Sequence, residues 1–169
     1  PKPSDMLLAR QARELYVHKA GEAMPEIAEA VFAKLRGLLD LAVSARDMQE
    51  RRDTWMAYQN ARVGWVSETQ KAWHRALQPP TATTRVRLEA GNFELIGDDV
   101  VENKILASRM ALALTEKLAS ELNDFRLRLQ FLEGTTELAG YDIARPEVLC
   151  QLLLEQWAAR GLTREGWAT

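Results

Sequence analysis

The longest uninterrupted helical pattern in the chain lies between Asp98 and Glu133. This stretch contains no proline or glycine, begins with acidic residues and is followed by Gly134. Its apolar residues form one stripe at helical spacing: Val101, Ile105, Leu112, Leu118, Leu122, Phe125, Leu129 and Leu132. We therefore predict one amphipathic helix of about 54 Å, at about 1.5 Å rise per residue. Helices of globular proteins usually have about 8–20 residues, so this predicted helix is unusually long. We therefore expect other long helices to pack beside it.

The N-terminal part of the chain predicts two helices or one kinked helix. Ser4 and Asp5 are candidate N-caps of a first helix that ends near Lys19. Pro25 suits the first turn of a second helix that continues to about Ser44, because its missing N–H would be unpaired there anyway. A single helix with a kink at the proline is the alternative.

A third helix is predicted from Asp47 to Leu77, with tryptophans on its apolar face. Trp55 and Trp73 are eighteen residues apart, which is five full turns, so both should point into the core together with Val66. Trp65 is displaced by about 80° around the helix and is expected to be half-buried. We predict that this helix runs antiparallel to the long one, with the two apolar stripes facing each other.

A further helix is predicted from Arg145 to about Arg160. Gly161 follows it directly, and Leu162 can contact Trp157 as the apolar partner of a Schellman stop. With the other helices it gives an all-α fold, an elongated bundle of four or five helices that includes two long antiparallel ones. We expect residues 1–169 to form a single helical domain and to be a fragment of a longer protein.

The segment 85–96 interrupts this helical pattern. Apolar and polar residues alternate on both sides of Gly91-Asn92, a dipeptide that suits a two-residue hairpin turn. The segment therefore predicts a small β-hairpin or an extended strap across the helices. An isolated hairpin is marginal in water, so either form needs a surface to pack on.

Composition narrows the class of protein. The formal net charge is −2 and the pI is about 5.8, which gives no general electrostatic footprint of a nucleic-acid binder. No apolar run approaches the ~18 residues of a membrane span. The chain has one cysteine, so it has no internal disulfide framework and suits a reducing cytoplasm.

The residues that could carry chemistry do not form a recognisable site. His18 and His74 lack metal-ligand spacing, and we expect packing or surface roles for both. Cys150 lies among apolar residues and is expected to be a buried structural thiol. Asp98, Asp99 and Glu102 are close enough to suggest a metal, but a capping box explains the same pattern. We therefore predict no catalytic residues, no cofactor, no metal site and no enzymatic activity.

Aromatic and basic residues suggest an interaction surface instead. Tryptophan and arginine are favoured anchors of protein interfaces, and the chain has five tryptophans. Our interaction candidates are the following residues: Trp65, Arg85, Arg87, Phe93 and Leu95. The arginine-rich region 46–87 offers a second hypothesis, a nucleic-acid or anionic nucleotide site, although neighbouring acidic residues offset its charge.

Several segments resemble a proteobacterial family of unknown function, DUF1631. They are Phe93–Glu102 (FELIGDDVVE), Ser108-Arg109 and Phe125–Leu129 (FRLRL), and the resemblance covers about residues 93–157. The segment Tyr141–Pro146 keeps only the second proline of the family's Asn-Pro-x-x-Pro element. The resemblance implies a long, mainly helical protein. Some members are labelled thymidine phosphorylase, but the resemblance brings no catalytic residues to this chain.

We expect from these patterns a non-catalytic, cytoplasmic helical module for protein interaction or scaffolding, in a bacterial regulatory protein. The alternative is the nucleic-acid or nucleotide-signal binder of region 46–87. A protein partner or self-association is expected, the latter through the unpaired edge of segment 85–96. No membrane partner is expected.

Overall fold

The computed structural model describes residues 1–80 and 98–163, with the backbone alone at 98–100. These residues contain five α-helices and no strand, so the all-α class is confirmed for them. The helices are α1 (Pro3–Leu38), α2 (Ala45–Arg75), α3 (Asp98–Lys117), α4 (Ala119–Glu133) and α5 (Pro146–Ala159). The small hairpin or strap predicted at 85–96 lies outside the described residues and is not borne out by them.

Helix α1 continues through Pro25, so the prediction of two helices is wrong and the single-helix alternative is right. A proline inside a helix leaves the carbonyl four residues earlier without its usual donor. That carbonyl belongs to Gly21, and here it accepts a hydrogen bond of 2.8 Å from Gln70 Nε2 of α2. The neighbouring helix thus replaces the missing donor. The N-cap is Lys2 instead of Ser4 or Asp5.

Helix α2 begins two residues before the predicted start, behind a conventional cap. The Ser44 hydroxyl accepts a hydrogen bond of 3.1 Å from the backbone N–H of Asp47. Arg51 Nη1 donates to the Leu38 carbonyl at 2.8 Å and so satisfies an acceptor at the end of α1. The Ser44 cap and the Arg51 hydrogen bond together fix the connection between α1 and α2. These two helices pack along each other as a long helical hairpin.

The predicted single helix from Asp98 to Glu133 is divided at Leu118 into α3 and α4. Leu118 has φ −121° and ψ 31°, outside helical geometry. Hydrogen bonds nevertheless continue on both sides, from Leu118 N to Leu114 O at 3.0 Å and from Leu122 N to Leu118 O at 2.9 Å. The break is thus confined to one residue. Helix α4 ends at Gly134, which adopts φ 65°.

Helix α5 has the predicted Schellman stop. Gly161 has φ 76°, and the N–H of Leu162 bonds to the carbonyl of Trp157 at 3.3 Å. The N–H of Gly161 bonds to the carbonyl of Ala158 at 3.0 Å. The chain therefore turns back at this point, and Leu162 is buried in the core.

The helices do not pair as predicted. Helix α2 packs on α1 and α5, α3 packs on α5, and α4 returns along α1. The apolar stripes of α2 and α3 therefore do not face each other, and Ile105 and Leu112 are exposed. The periodicity correctly groups the residues on one face of each helix, but it does not identify the helix that covers that face.

Tryptophans from α2 and α5 occupy the main core. Trp65 is only 1% exposed, and its Nε1–H donates to the Leu153 carbonyl of α5 at 3.1 Å. Trp73 Nε1–H makes the same kind of bond to the Leu149 carbonyl at 3.0 Å. The ring of Trp65 lies 5.0 Å from that of Trp157, edge to face. Trp65 is thus central to the core, and the expectation that it is half-buried is wrong.

Candidate interaction surface

Trp65 is the only sequence-predicted interaction residue that falls within the described part of the chain. It is enclosed between α2 and α5, and its indole N–H is hydrogen-bonded there. Its role is therefore to join two helices within the chain, and the structure gives it no surface to present to a partner. Arg85, Arg87, Phe93 and Leu95 lie outside the described residues.

Three arginines of the proposed anion-binding region bind within the protein. Arg51 donates to the end of α1. Arg62 forms an ion pair with Glu29 and lies 4.8 Å above the ring of Phe32, a cation–π contact. Arg46 pairs with Glu50 at 3.4 Å on the same helix. Each of these three guanidinium groups is therefore already engaged within the chain.

Cys150 is buried and both histidines are exposed, as expected for them. Burial, helped by the charge of Glu147, raises the pKa of the Cys150 thiol to about 12. His18 and His74 are exposed beside a groove of about 330 Å³ between α1 and α2. His18 Nε2 lies 2.8 Å from Glu22 Oε1. Within the described ranges, no three His, Cys, Asp or Glu residues are grouped as metal ligands.

A charged cluster joins α1, the end of α4 and the following loop. Arg13 Nη1 and Nη2 donate to the two Glu133 oxygens at 2.8 and 2.6 Å. Arg13 Nε and Nη2 donate to the two Asp142 oxygens at 3.1 and 2.7 Å. The guanidinium thus binds both carboxylates in bidentate fashion, a geometry that lysine cannot reproduce. We call these three residues the Arg13 cluster.

The Arg13 cluster separates two open grooves at one end of the bundle. They measure about 460 and 490 Å³, and both are bordered by Leu77 and Pro79 after the end of α2. Burial alone would lower the pKa of Arg13, but its hydrogen bonds to Glu133 and Asp142 and the charges of these carboxylates outweigh this and raise the pKa above its ordinary value. The cluster holds one positive and two negative charges, and the single guanidinium binds both carboxylates. We therefore assign the cluster to holding α1, α4 and the loop together.

The most exposed large apolar side chain of the described residues is Phe131 on α4, at 85%. Leu127 lies one turn earlier and is 47% exposed. Both lie about 160–200° around the helix from Leu129, which is buried against α1. Because the inner face of α4 is already packed, these two residues form an apolar outer face with no helix of the described residues over it. Leu127 and Phe131 lie outside the apolar stripe predicted from Val101 to Leu132, so the sequence pattern did not indicate them.

A second exposed apolar face lies on α3. Ala107 and Ala111 are buried in the main core, and these small side chains let α3 lie close to α5. Val101, Ile105 and Leu112 lie about 80–160° around the helix from these alanines and are 43%, 46% and 61% exposed. The sequence predicts this stripe as part of the core. The packing face of α3 is instead the side that carries the two alanines.

These helices and surfaces can be compared with known protein families. Residues 4–169 match the family described as protein of unknown function (DUF1631), N-terminal domain. The chain belongs to this family. The DUF1631 match covers nearly the whole chain and so extends well beyond residues 93–157, the range over which the sequence resembles the family. No curated protein and no solved structure matches the chain significantly. None of the helices in the described part of this DUF1631 domain is long and apolar enough to cross a membrane.

Proposed function

We propose that this DUF1631 domain is a non-catalytic helical module for protein interaction or scaffolding, part of a cytoplasmic bacterial regulatory protein. The observation that carries the proposal is the outer face of α4. Phe131 is 85% exposed there beside Leu127, on a helix whose inner face is already packed. Exposed apolar patches of this kind are typical of protein-binding surfaces.

The energetics of Phe131 favour a partner. Full burial of a phenylalanine side chain contributes about 1.5–3 kcal/mol relative to leaving it in water. This side chain obtains little of that stabilisation within its own chain. The Arg13 cluster and the stacked rings of Tyr16 and Phe125, 5.0 Å apart, hold α4 against α1. A partner would therefore meet a face that is already ordered, which lowers the entropic cost of binding.

The test uses the 169-residue chain as bait and compares two variants. Phe131→Asp places a charge in the proposed contact. Val63→Asp is the matched control, because Val63 of α2 is 80% exposed and lies on another helix. We expect that proteins bound by the wild-type chain at moderate salt will not bind to the Phe131→Asp variant. The same proteins should still bind to the Val63→Asp variant. Equal retention by all three chains would contradict the proposal.

Salt dependence distinguishes the alternative function, binding of nucleic acid or an anionic nucleotide by region 46–87. Binding driven by phosphate contacts weakens steeply as salt rises. Arg46, Arg51 and Arg62 already have partners within the chain, which weighs against such a site. Tight binding to a duplex or nucleotide that disappears at raised salt would favour it over the protein-interaction module.

A further inference from the structure

The exposed face of α3 has the spacing of a coiled-coil seam. Val101, Ile105, Ser108 and Leu112 follow one another at steps of four, three and four residues. This alternation keeps a line of side chains on one side of a helix and is the pattern by which two helices pair. Its three apolar members are the exposed residues described above, and Ser108 is exposed as well.

Charged residues border this seam along one edge. Glu102, Arg109 and Glu116 recur every seven residues, so they lie in a row beside the seam with alternating sign. All three are exposed. Such flanking charges determine which helix, and in which orientation, a seam of this kind accepts.

The structure points to a second copy of this chain as the occupant of the seam. We propose that two copies associate antiparallel through their α3 helices. In one register Val101 of each copy lies opposite Leu112 of the other, and Ile105 lies opposite Ser108. The same register brings Glu102 of each copy beside Arg109 of the other, twice by symmetry. A two-fold pairing requires a surface that is complementary to itself, and this one is complementary in both apolar position and charge.

The packing of α3 within its own chain leaves this pairing feasible. Its small-residue side, at Ala107 and Ala111, is taken by α5. Glu102 makes an interaction within its own chain, but a carboxylate has sites for further donors. The helix has 20 residues, so the contact would be smaller than a standard interface. We therefore expect a weak dimer in equilibrium with monomer.

This inference deepens the proposed function by naming one partner. Sedimentation of the 169-residue chain over about 1 µM to about 1 mM should show a reversible monomer–dimer equilibrium. Ile105→Glu should raise the dissociation constant by about tenfold or more, because it puts two charges at the centre of the contact. Val63→Glu, a change at an exposed valine on α2, should leave it unchanged. Circular dichroism should show equal helix content in all three chains.

Exchanging the charges of Glu102 and Arg109 tests whether the two α3 helices pair antiparallel. Glu102→Arg and Arg109→Glu should each weaken the dimer, because each places like charges side by side across the contact. The double variant restores opposite charges and should recover most of the affinity. A strictly monomeric chain, a dimer insensitive to Ile105→Glu, or no recovery in the double variant would overturn the proposal. Loss of retained proteins with Phe131→Asp alone would still support the interaction module, since that residue lies on α4.

Discussion

Replacing Arg13 with methionine should destabilise the fold more than any other single change at a charged residue of α1. Methionine keeps the unbranched apolar stem of the side chain but removes the guanidinium that bridges Glu133 and Asp142. Arg13 makes four hydrogen bonds to them, at 2.6–3.1 Å. Without it, two partly buried carboxylates would be left close together and without their common donor.

The expected magnitude follows from the burial of the three side chains. Removing one partner of a fully buried ion pair costs about 3–5 kcal/mol. Here the side chains of Arg13, Glu133 and Asp142 are 15%, 21% and 10% exposed, so water screens them in part. We therefore expect a loss of about 2–4 kcal/mol in the free energy of unfolding. For a chain of this size that lowers the melting temperature by about 5–15 °C.

Urea unfolding followed by circular dichroism would measure the loss. Arg10→Met is the control, because Arg10 forms an exposed pair with Glu14 one turn away, and its removal should cost less than about 0.5 kcal/mol. Adding Glu133→Gln and Asp142→Asn to Arg13→Met should recover part of the loss by removing the unpaired charges. If Arg13→Met unfolds within about 0.5 kcal/mol of the wild-type chain, the assignment of this cluster to stability is wrong.

Two further predictions concern local structure. The Cys150 thiol should react slowly with a thiol reagent at neutral pH and quickly once the chain is unfolded in urea; equal rates would contradict its burial. Because burial raises the pKa of Cys150 from 9.0 to about 12, its contribution to stability is complete below pH 9.0 and is lost as the pH rises towards 12. Gly161→Ala should cost about 1 kcal/mol, because position 161 has φ 76°. Gly37→Ala should be neutral or stabilising, since an added Cβ meets no atom there, and thermal unfolding of both variants would check the contrast.

Structural features that depend on a few neighbouring residues could be predicted from the sequence. The Schellman stop at Gly161 was predicted because one glycine in the left-handed conformation and one apolar contact are sufficient to form it. Burial of Cys150 followed from its apolar neighbours along one helix. The extent of α2 was correct to within two residues at each end. Each of these predictions depends on neighbouring residues alone.

The continuity of α1 depends on a contact between residues distant in sequence. Pro25 removes a donor, and the local interpretation is a helix boundary. The carbonyl of Gly21 nevertheless has a partner, because Gln70 of α2 donates to it. No pattern within α1 reveals that donor. The tryptophans show the same limit, since Trp65 and Trp73 are buried under α5, whereas Trp55 is half-buried beside Phe32 of α1.

The break at Leu118 follows from packing against two different helices. The sequence from Asp98 to Glu133 suits a straight helix, and nothing within it breaks the pattern. Yet α3 packs on α5 through its alanines, whereas α4 packs on α1 through Phe125 and Leu129. We infer that a straight helix could not follow both surfaces, and that packing of the two halves compensates for one residue outside helical geometry. The apolar residues of α3 and α4 therefore do not share one buried stripe, and part of the apolar surface of each helix remains exposed.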